Sequence, residues 1–297
     1  MRGFSFICIM FRYLLRFFTK NAAGKEGSAA EMSFFEHLDE LRKHLFRSVI
    51  AIAIGAIFVA IYNSFIVKRI LMGPTHGDFI TYRYLCRISQ KLGLGSKLCM
   101  TQIMVKMQSN TVTGQFNIYF NVILIGGVII AFPYIFWQFW KFTKPALTGK
   151  ELKYTRGVIF WVSLLFFLGV FFGYFVIAPY TIHFFANFIL DDNIENRWTI
   201  VNYFDTITPL ILGAGLAFQL PLVIFFLAKV GVISSGYLRR IRKYAILTML
   251  IIAGIITPPD MLSQIVVTIP LVLLYEIGVW LCVRVEKRQA KEEAEWS

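Results

Sequence analysis

The sequence has 297 residues, of which 57% are hydrophobic and only 16% are charged, and its mean hydropathy is +0.65. Soluble domains carry about 25% charged residues, and a soluble fold could not bury 30 phenylalanines together with the other apolar side chains. The composition therefore excludes an ordinary soluble protein and indicates an integral membrane protein. Basic residues outnumber acidic ones by 30 to 17. In a membrane protein this excess indicates the orientation, and binding of anionic lipid or of an acidic partner are secondary readings. No segment has the character of a nucleic-acid-binding domain.

Residues 1–31 are predicted to be an N-terminal extension outside the membrane domain. Residues 1–20 combine a basic start with an apolar run that Arg12 and Arg16 interrupt, which favours an interfacial helix over a cleaved signal peptide. A linker rich in Gly, Ala and Ser follows. A start codon misassigned upstream of Met32 would explain the same segment.

Six apolar segments predict six transmembrane helices in a membrane domain of residues 32–283, followed by a charged tail at 284–297. About 20 helical residues cross a hydrocarbon core of about 30 Å. The fifth segment has only 13 residues between Lys243 and Thr257, so it is short for a span. The segments are 49–67, 118–139, 157–177, 207–228, 244–256 and 265–283.

The first span is expected to begin as a helix on the membrane surface. Ser33 and Glu36 form the hydroxyl-to-acid spacing of a capping box. Apolar residues then recur at helical spacing, and no breaker follows until Gly55. One helix should therefore run from the surface into the membrane, with His44 on its solvated face.

The distribution of Lys and Arg predicts that both termini are cytoplasmic. With six spans, 22 basic residues fall on the side of the termini and 8 on the other side. The first outer loop, residues 68–117, disagrees because it carries seven basic residues and only one acid, Asp78. Loops of this length follow the charge rule weakly, so the topology stands.

Two polar side chains inside the apolar segments need a partner, because unpaired polar groups in hydrocarbon are unfavourable. Gln219 precedes Pro221 in the fourth segment, and Glu276 lies in the sixth. For Glu276 three readings stay open, namely an interhelical hydrogen bond, a docking site for a partner, and a proton relay. Gly169 and Gly173 form a GxxxG pattern that predicts close helix packing.

The sequence contains no P-loop, no HExxH motif and no GxSxG nucleophile motif. We therefore expect no enzymatic activity and no bound cofactor.

Three stretches resemble the TatC family of twin-arginine translocase proteins. They are HLDELRKHL at 37–45, FWQFWKF at 136–142 with KPALTGKE at 144–151, and TPPDMLSQ at 257–264 with Pro270 and Glu276 beyond it. Each motif alone is modest, but the three in this order and at this spacing are specific. The resemblance covers about residues 32–283.

The resemblance implies an all-α membrane protein whose six helices form a concave wall, with a short last pair of helices. It implies a signal-peptide receptor and core component of the translocase in the bacterial cytoplasmic membrane, which exports folded proteins at the expense of the proton-motive force. The implied partners are twin-arginine signal peptides, TatA- and TatB-type single-span proteins, and other copies of the chain. The alternative is a six-span secondary transporter or channel for a small solute, although no inverted repeat is present.

By position, the resemblance assigns signal-peptide binding to two acids, Glu40 and Glu151, and to the residues around them. It assigns assembly and transport to a second set on the outer turn and inside the membrane. The first set also includes Arg42, Phe142, Pro145 and Leu147, and the second consists of Gln219, Pro258, Asp260 and Glu276. Leu152 and Lys153 depart from the family pattern, which makes the contribution of this loop less certain.

Cys86 and Cys99 lie 13 positions apart in the first outer loop, and this pair is not part of the resemblance. The predicted topology places them on the oxidising side of the membrane, and Gly93 and Gly95 between them would let the chain fold back. A disulfide between them is one reading, and two free thiols are the other. Cys8 and Cys282 should stay reduced.

Overall fold

The computed structural model describes residues 34–91, 107–143, 157–188, 191, 198–229, 231–256 and 261–294. The chain divides into two compact units, Met1–Arg42 and Lys43–Ser297, and the packing described below lies within the second. The helices are α1 Phe34–Ile61, α2 Asn63–Phe65, α3 Ile80–Lys91, α4 Gly114–Thr143, α5 Val158–Phe172, α6 Ala178–Asn187, α7 Ile200–Ala217, α8 Leu220–Lys229, α9 Ser235–Arg240, α10 Arg242–Ile256 and α11 Met261–Ala294. Shorter elements are π-helical turns at Ile66–Leu71 and Gly173–Ile177, a 3-10 turn at Gly73–Thr75, and the strands β1 Met107–Gln108 and β2 Trp198–Thr199, which pair in parallel.

The first helix confirms the prediction of one continuous element. Helix α1 runs without a break for 28 residues, from the polar segment around Glu40 through Gly55 to Ile61. Its regular geometry is interrupted at Tyr62, after which the short helix α2 leads into the π-helical turn.

Five helical stretches are long and apolar enough to cross a membrane, within the part of the chain that the structure describes. They are Leu38–Ile61, Gly114–Thr143, Val158–Asn187, Ile200–Lys229 and Gln264–Lys291. The third is longer than predicted because the π-helical turn at Gly173–Ile177 joins α5 to α6 without ending the helix. The protein therefore has several apolar helices and is a multi-pass membrane protein.

The last two helices differ in length, so the expectation that both are short is wrong for the second. Helix α10 has 15 residues, about 22 Å at about 1.5 Å per residue, and its crossing of the membrane stays a prediction. Helix α11 has 34 residues. It is long because the predicted tail from residue 284 is rich in Glu, Lys and Ala, which are good helix formers, and continues the apolar helix.

Helices α5 and α7 pack closely against each other. A Cβ atom added at Gly169 would lie 2.6 Å from the carbonyl oxygen of Ala214, and one added at Gly173 would lie 2.9 Å from the Ala214 Cβ. Phe166, which lies against Gly215 of α7, has no exposed surface. The GxxxG prediction is therefore confirmed, because only glycine allows these two backbones to approach so closely.

The segment between α1 and α4 is anchored to the other helices by buried hydroxyl groups. Tyr82 donates to the carbonyl oxygens of Pro74 and Pro179, at 2.8 and 3.3 Å. Tyr203 donates to the carbonyl oxygen of Leu71 at 2.5 Å. Burial raises the pKa of the Tyr82 phenol above its usual value, so this side chain stays a hydrogen-bond donor at physiological pH.

Candidate functional site

The two predicted signal-peptide residues on α1 are accessible. Glu40 is half-buried and Arg42 is exposed. The Glu40 carboxylate forms no hydrogen bond or ion pair with any residue that the structure describes. Glu151, Pro145 and Leu147 lie outside the described residues, so their approach to Glu40 stays a prediction.

A polar contact joins α1 to the end of α4. His44 donates from Nδ1 to Oε1 of Gln138 over 2.7 Å, and Gln138 is only 2% exposed. Phe142, another predicted site residue, packs edge-on against the His44 ring with 6.3 Å between the ring centroids. The last turn of α4, which leads into the predicted binding loop, is therefore fixed against α1.

The prediction that His44 is simply exposed is wrong, and Gln138 was not predicted to matter. The available signal was one amide inside the aromatic run FWQFW at the end of a predicted span. An amide in such a place needs a hydrogen-bond partner, and His44 is the side chain that supplies it.

Gln219 lies in the turn between α7 and α8 and has only half of its amide satisfied. Its Nε2 donates to the carbonyl oxygen of Val162 on α5 over 3.3 Å. Its Oε1 is buried and has no hydrogen-bond partner among the described residues. A buried amide oxygen without a partner is unfavourable, so Gln219 is a candidate for a contact that the described part of the chain does not itself supply.

Glu276 forms a two-point ion pair with Arg242 at the start of α10. The distances are 2.9 Å from Nε to Oε1 and 2.9 Å from Nη2 to Oε2. The Arg242 side chain is 47% exposed and that of Glu276 is 41% exposed. Of the three readings of Glu276, this geometry matches an interhelical bond, and it explains how α11 carries an acid within its apolar segment.

Pro258 and Asp260 lie outside the described residues.

Cys86 on α3 is disulfide-bonded. Cys282 is free and buried in α11, so the partner of Cys86 is either Cys8 or Cys99, both of which lie outside the described residues. The pairing with Cys99 stays a prediction.

The apolar helices and the polar groups between them define a multi-pass helical membrane protein. The family model of the Sec-independent protein translocase protein (TatC) matches residues 36–270. The TatC protein of Blattabacterium sp. subsp. Periplaneta americana (strain BPLAN) is 42% identical over 260 residues, which cover 87% of this chain and 98% of that protein. TatCy of Bacillus subtilis (strain 168) is 31% identical over 264 residues, which cover 89% and 94%.

Two crystal structures of the twin arginine translocase receptor TatC are similar to this fold. One is 29% identical with a TM-score of 0.64 and covers 84% of this chain and all of that one. The other, in DDM, is 30% identical with a TM-score of 0.67 and covers 83% and 99%. The chain therefore belongs to the TatC family and is a component of the twin-arginine protein translocase. These matches disfavour the alternative of a small-solute transporter.

Proposed function

We propose that this chain is the signal-peptide receptor of the translocase, and that Glu40 and Glu151 bind the two arginines of the signal peptide at the cytoplasmic face. The observation that carries the proposal is the Glu40 carboxylate, which is accessible and has no basic partner among the described residues. The description of both solved relatives as receptors supports it.

Carboxylates suit this task because a guanidinium group offers parallel N–H donors that two carboxylate oxygens accept together. A lysine ammonium has no such planar fork, so two lysines should bind less well than two arginines. Phe142 and the predicted loop residues Pro145 and Leu147 would supply the apolar contacts beside the acids. The His44–Gln138 bond supports this role because it holds the helix from which Phe142 projects.

The wider proposal concerns assembly and location. We place the chain in the bacterial cytoplasmic membrane with both termini in the cytoplasm, where it meets TatA- and TatB-type proteins and other copies of itself. Cargo then moves out at the expense of the proton-motive force, with no cofactor and no catalytic step on this chain. Gln219, whose buried amide oxygen is unpaired in the single chain, contacts a partner helix after a local rearrangement. Pro258, Asp260 and the Arg242–Glu276 pair contribute to assembly and transport.

Binding of a labelled twin-arginine peptide to the reconstituted chain tests the receptor role. Glu40→Lys should abolish binding, because it places a third positive charge beside the two arginines. Asp39→Lys is the matched control, since it makes the same charge change one position away on the exposed surface of α1, and it should keep binding.

Equal binding by the wild type and the Glu40→Lys variant would overturn the assignment of Glu40. Equal loss in both variants would show a general effect of charge at this end of α1 and would also contradict a specific carboxylate site. Both variants should elute as the wild type does on gel filtration.

A further inference from the structure

A cavity of about 920 Å³ lies within the second unit, between α1, α4, α5 and α7. This volume is at the upper end of the range of about 300–1,000 Å³ found for small-molecule sites. Its walls are largely aliphatic and aromatic, and they include Val59, Val122, Ile129, Phe175 and Ile211. Since Val59 and Val122 are fully buried, the cavity reaches deep between the helices. Such walls fit an apolar chain.

The cavity opens where apolar side chains are exposed. Ile70, Ile80, Ile130 and Phe171 line it and are each exposed by 39% to 55%. In a multi-pass protein, exposed side chains of this kind face lipid acyl chains or a partner. An acyl chain could therefore enter from the bilayer without first passing through water.

Two basic side chains stand at the rim of the same cavity. Lys68 and Arg69, on the π-helical turn after α1, line the cavity and are exposed. Neither forms an ion pair with a residue that the structure describes. Asp78 and His76 lie on this rim as well, and Asp78 is the single acid among the lining residues. The rim therefore presents a surplus of positive charge beside an apolar cavity.

A buried hydroxyl gives a second, independent sign of a ligand. Thr208 on α7 lines the cavity and is only 5% exposed, yet its Oγ1 has no hydrogen-bond partner in the described part of the chain. Thr206, two residues earlier, donates to the carbonyl oxygen of Asn202 in the usual way. Buried hydroxyl groups are rarely left without a partner. Since this oxygen has no exposed surface, an oxygen acceptor on an occupant of the cavity would satisfy it after a rotation of the Thr208 side chain.

The charged rim is fixed to the cavity wall. Tyr174 donates to the carbonyl oxygen of Ile70 over 2.6 Å, next to Arg69. Phe79 stacks on Phe175 and meets Tyr174 edge-on, with 5.9 and 5.5 Å between the ring centroids. The site is therefore preformed, with no need for a rearrangement of its rim before a ligand binds.

We propose that this cavity binds one anionic phospholipid, with an acyl chain between the helices and the phosphate group against Lys68 and Arg69. A phospholipid unites the three features that the site requires: an apolar chain, a negative head group, and ester oxygens that can accept from Thr208. The proposal does not depend on signal-peptide recognition, which involves the opposite end of α1.

Photolabelling in nanodiscs tests this proposal. The full chain is reconstituted in phosphatidylcholine with a trace of phosphatidylglycerol that carries a diazirine on its acyl chain. We expect labelled residues on the cavity walls, with protection by unlabelled phosphatidylglycerol and none by glycerol phosphate, which lacks the acyl chain. The double variant Lys68→Gln/Arg69→Gln should lower labelling by about tenfold, since each basic residue near an anionic lipid contributes to binding.

Matched variants separate this site from general effects. Arg83→Gln/Lys91→Gln removes two basic residues of α3 that do not line the cavity, and it should label as the wild type does. Thr208→Val, which keeps the shape of the side chain, should lower labelling by about fivefold. Ile129→Trp, which narrows the cavity from the α4 wall, should also lower labelling.

Three results would overturn the proposal. The first is equal labelling by phosphatidylcholine and phosphatidylglycerol probes with no loss in Lys68→Gln/Arg69→Gln, which would show an unselective apolar groove. The second is displacement of the probe by glycerol phosphate, which would show a free-anion site. The third is labelling of the wild type only at residues outside the cavity, which would show that the lipid does not bind there and would favour a protein segment as the occupant.

Discussion

Helices α5 and α7 pack against each other over a longer stretch than helices α1 and α4 do. At Gly169 the α5 backbone lies so near α7 that even a methyl group would be 2.6 Å from a carbonyl oxygen. Helices α1 and α4 approach as closely at Gly55 and Gly127, but beyond this contact they border a large cavity. The long α5–α7 contact therefore forms a scaffold of the helix bundle, whereas the short α1–α4 contact leaves room for the proposed ligand sites.

The largest effect is expected at the closest contact of the scaffold. Gly169→Leu forces α5 away from the α7 backbone and should lower the free energy of unfolding by more than about 3 kcal/mol, as in the more severe cases of overpacking. Thermal unfolding in detergent measures this. Gly157→Leu is the control because an added Cβ there has no atom nearer than 3.9 Å. Equal stability of the two variants would contradict the assignment of α5 and α7 as the scaffold.

The second largest effect concerns α3, whose first residue, Ile80, lines the cavity beside α1 and α4. A disulfide between Cys86 and Cys99 should stabilise this region by about 3 kcal/mol through its effect on the unfolded chain. Alkylation without reductant, followed by intact-mass measurement, should find two blocked and two modified thiols. Cys99→Ser should expose Cys86 and give three modified thiols. Four modified thiols in the wild type would refute the bridge.

A smaller effect is expected where α1 and α4 are joined by polar groups. Gln138→Leu removes the acceptor of His44 and should lower the free energy of unfolding by about 1–3 kcal/mol. Gln90→Leu, on the exposed surface of α3, should change it by less than about 0.5 kcal/mol. Thermal unfolding compares the two. If Gln138→Leu were as stable as the control, the His44 contact would not hold the two helices together.

The smallest effect on stability is expected at Gln219, which bridges α5 and the α7–α8 turn. Gln219→Leu removes one long hydrogen bond but also an unsatisfied buried oxygen, so these two terms should nearly cancel. Assembly with single-span partners should weaken, and Gln219→Glu, which keeps acceptor oxygens, should preserve it. Native gels of the reconstituted complex measure this. Unchanged assembly of the Leu variant would remove Gln219 from the proposed interface.

The sequence predicted the membrane class, the continuous first helix and the glycine contact, because these follow from hydropathy and residue spacing. It did not predict the His44–Gln138 bond, since which residues of α1 and α4 face each other depends on tertiary packing. For Glu276 the sequence predicted an interhelical bond as one of three readings but did not identify Arg242 as the partner, because the two residues lie 34 positions apart. The cavity beside Thr208 was missed for the same reason, as its walls come from four different helices.

The most direct test of the receptor role is photocrosslinking from the two predicted acid positions. One crosslinker is placed at Leu41, beside Glu40, and another at Leu152, beside Glu151. For each position, labelling of a twin-arginine signal peptide is compared with labelling of its twin-lysine version. We expect both positions to label the arginine peptide and neither to label the lysine peptide. Equal labelling of the two peptides, or no labelling of either, would contradict it.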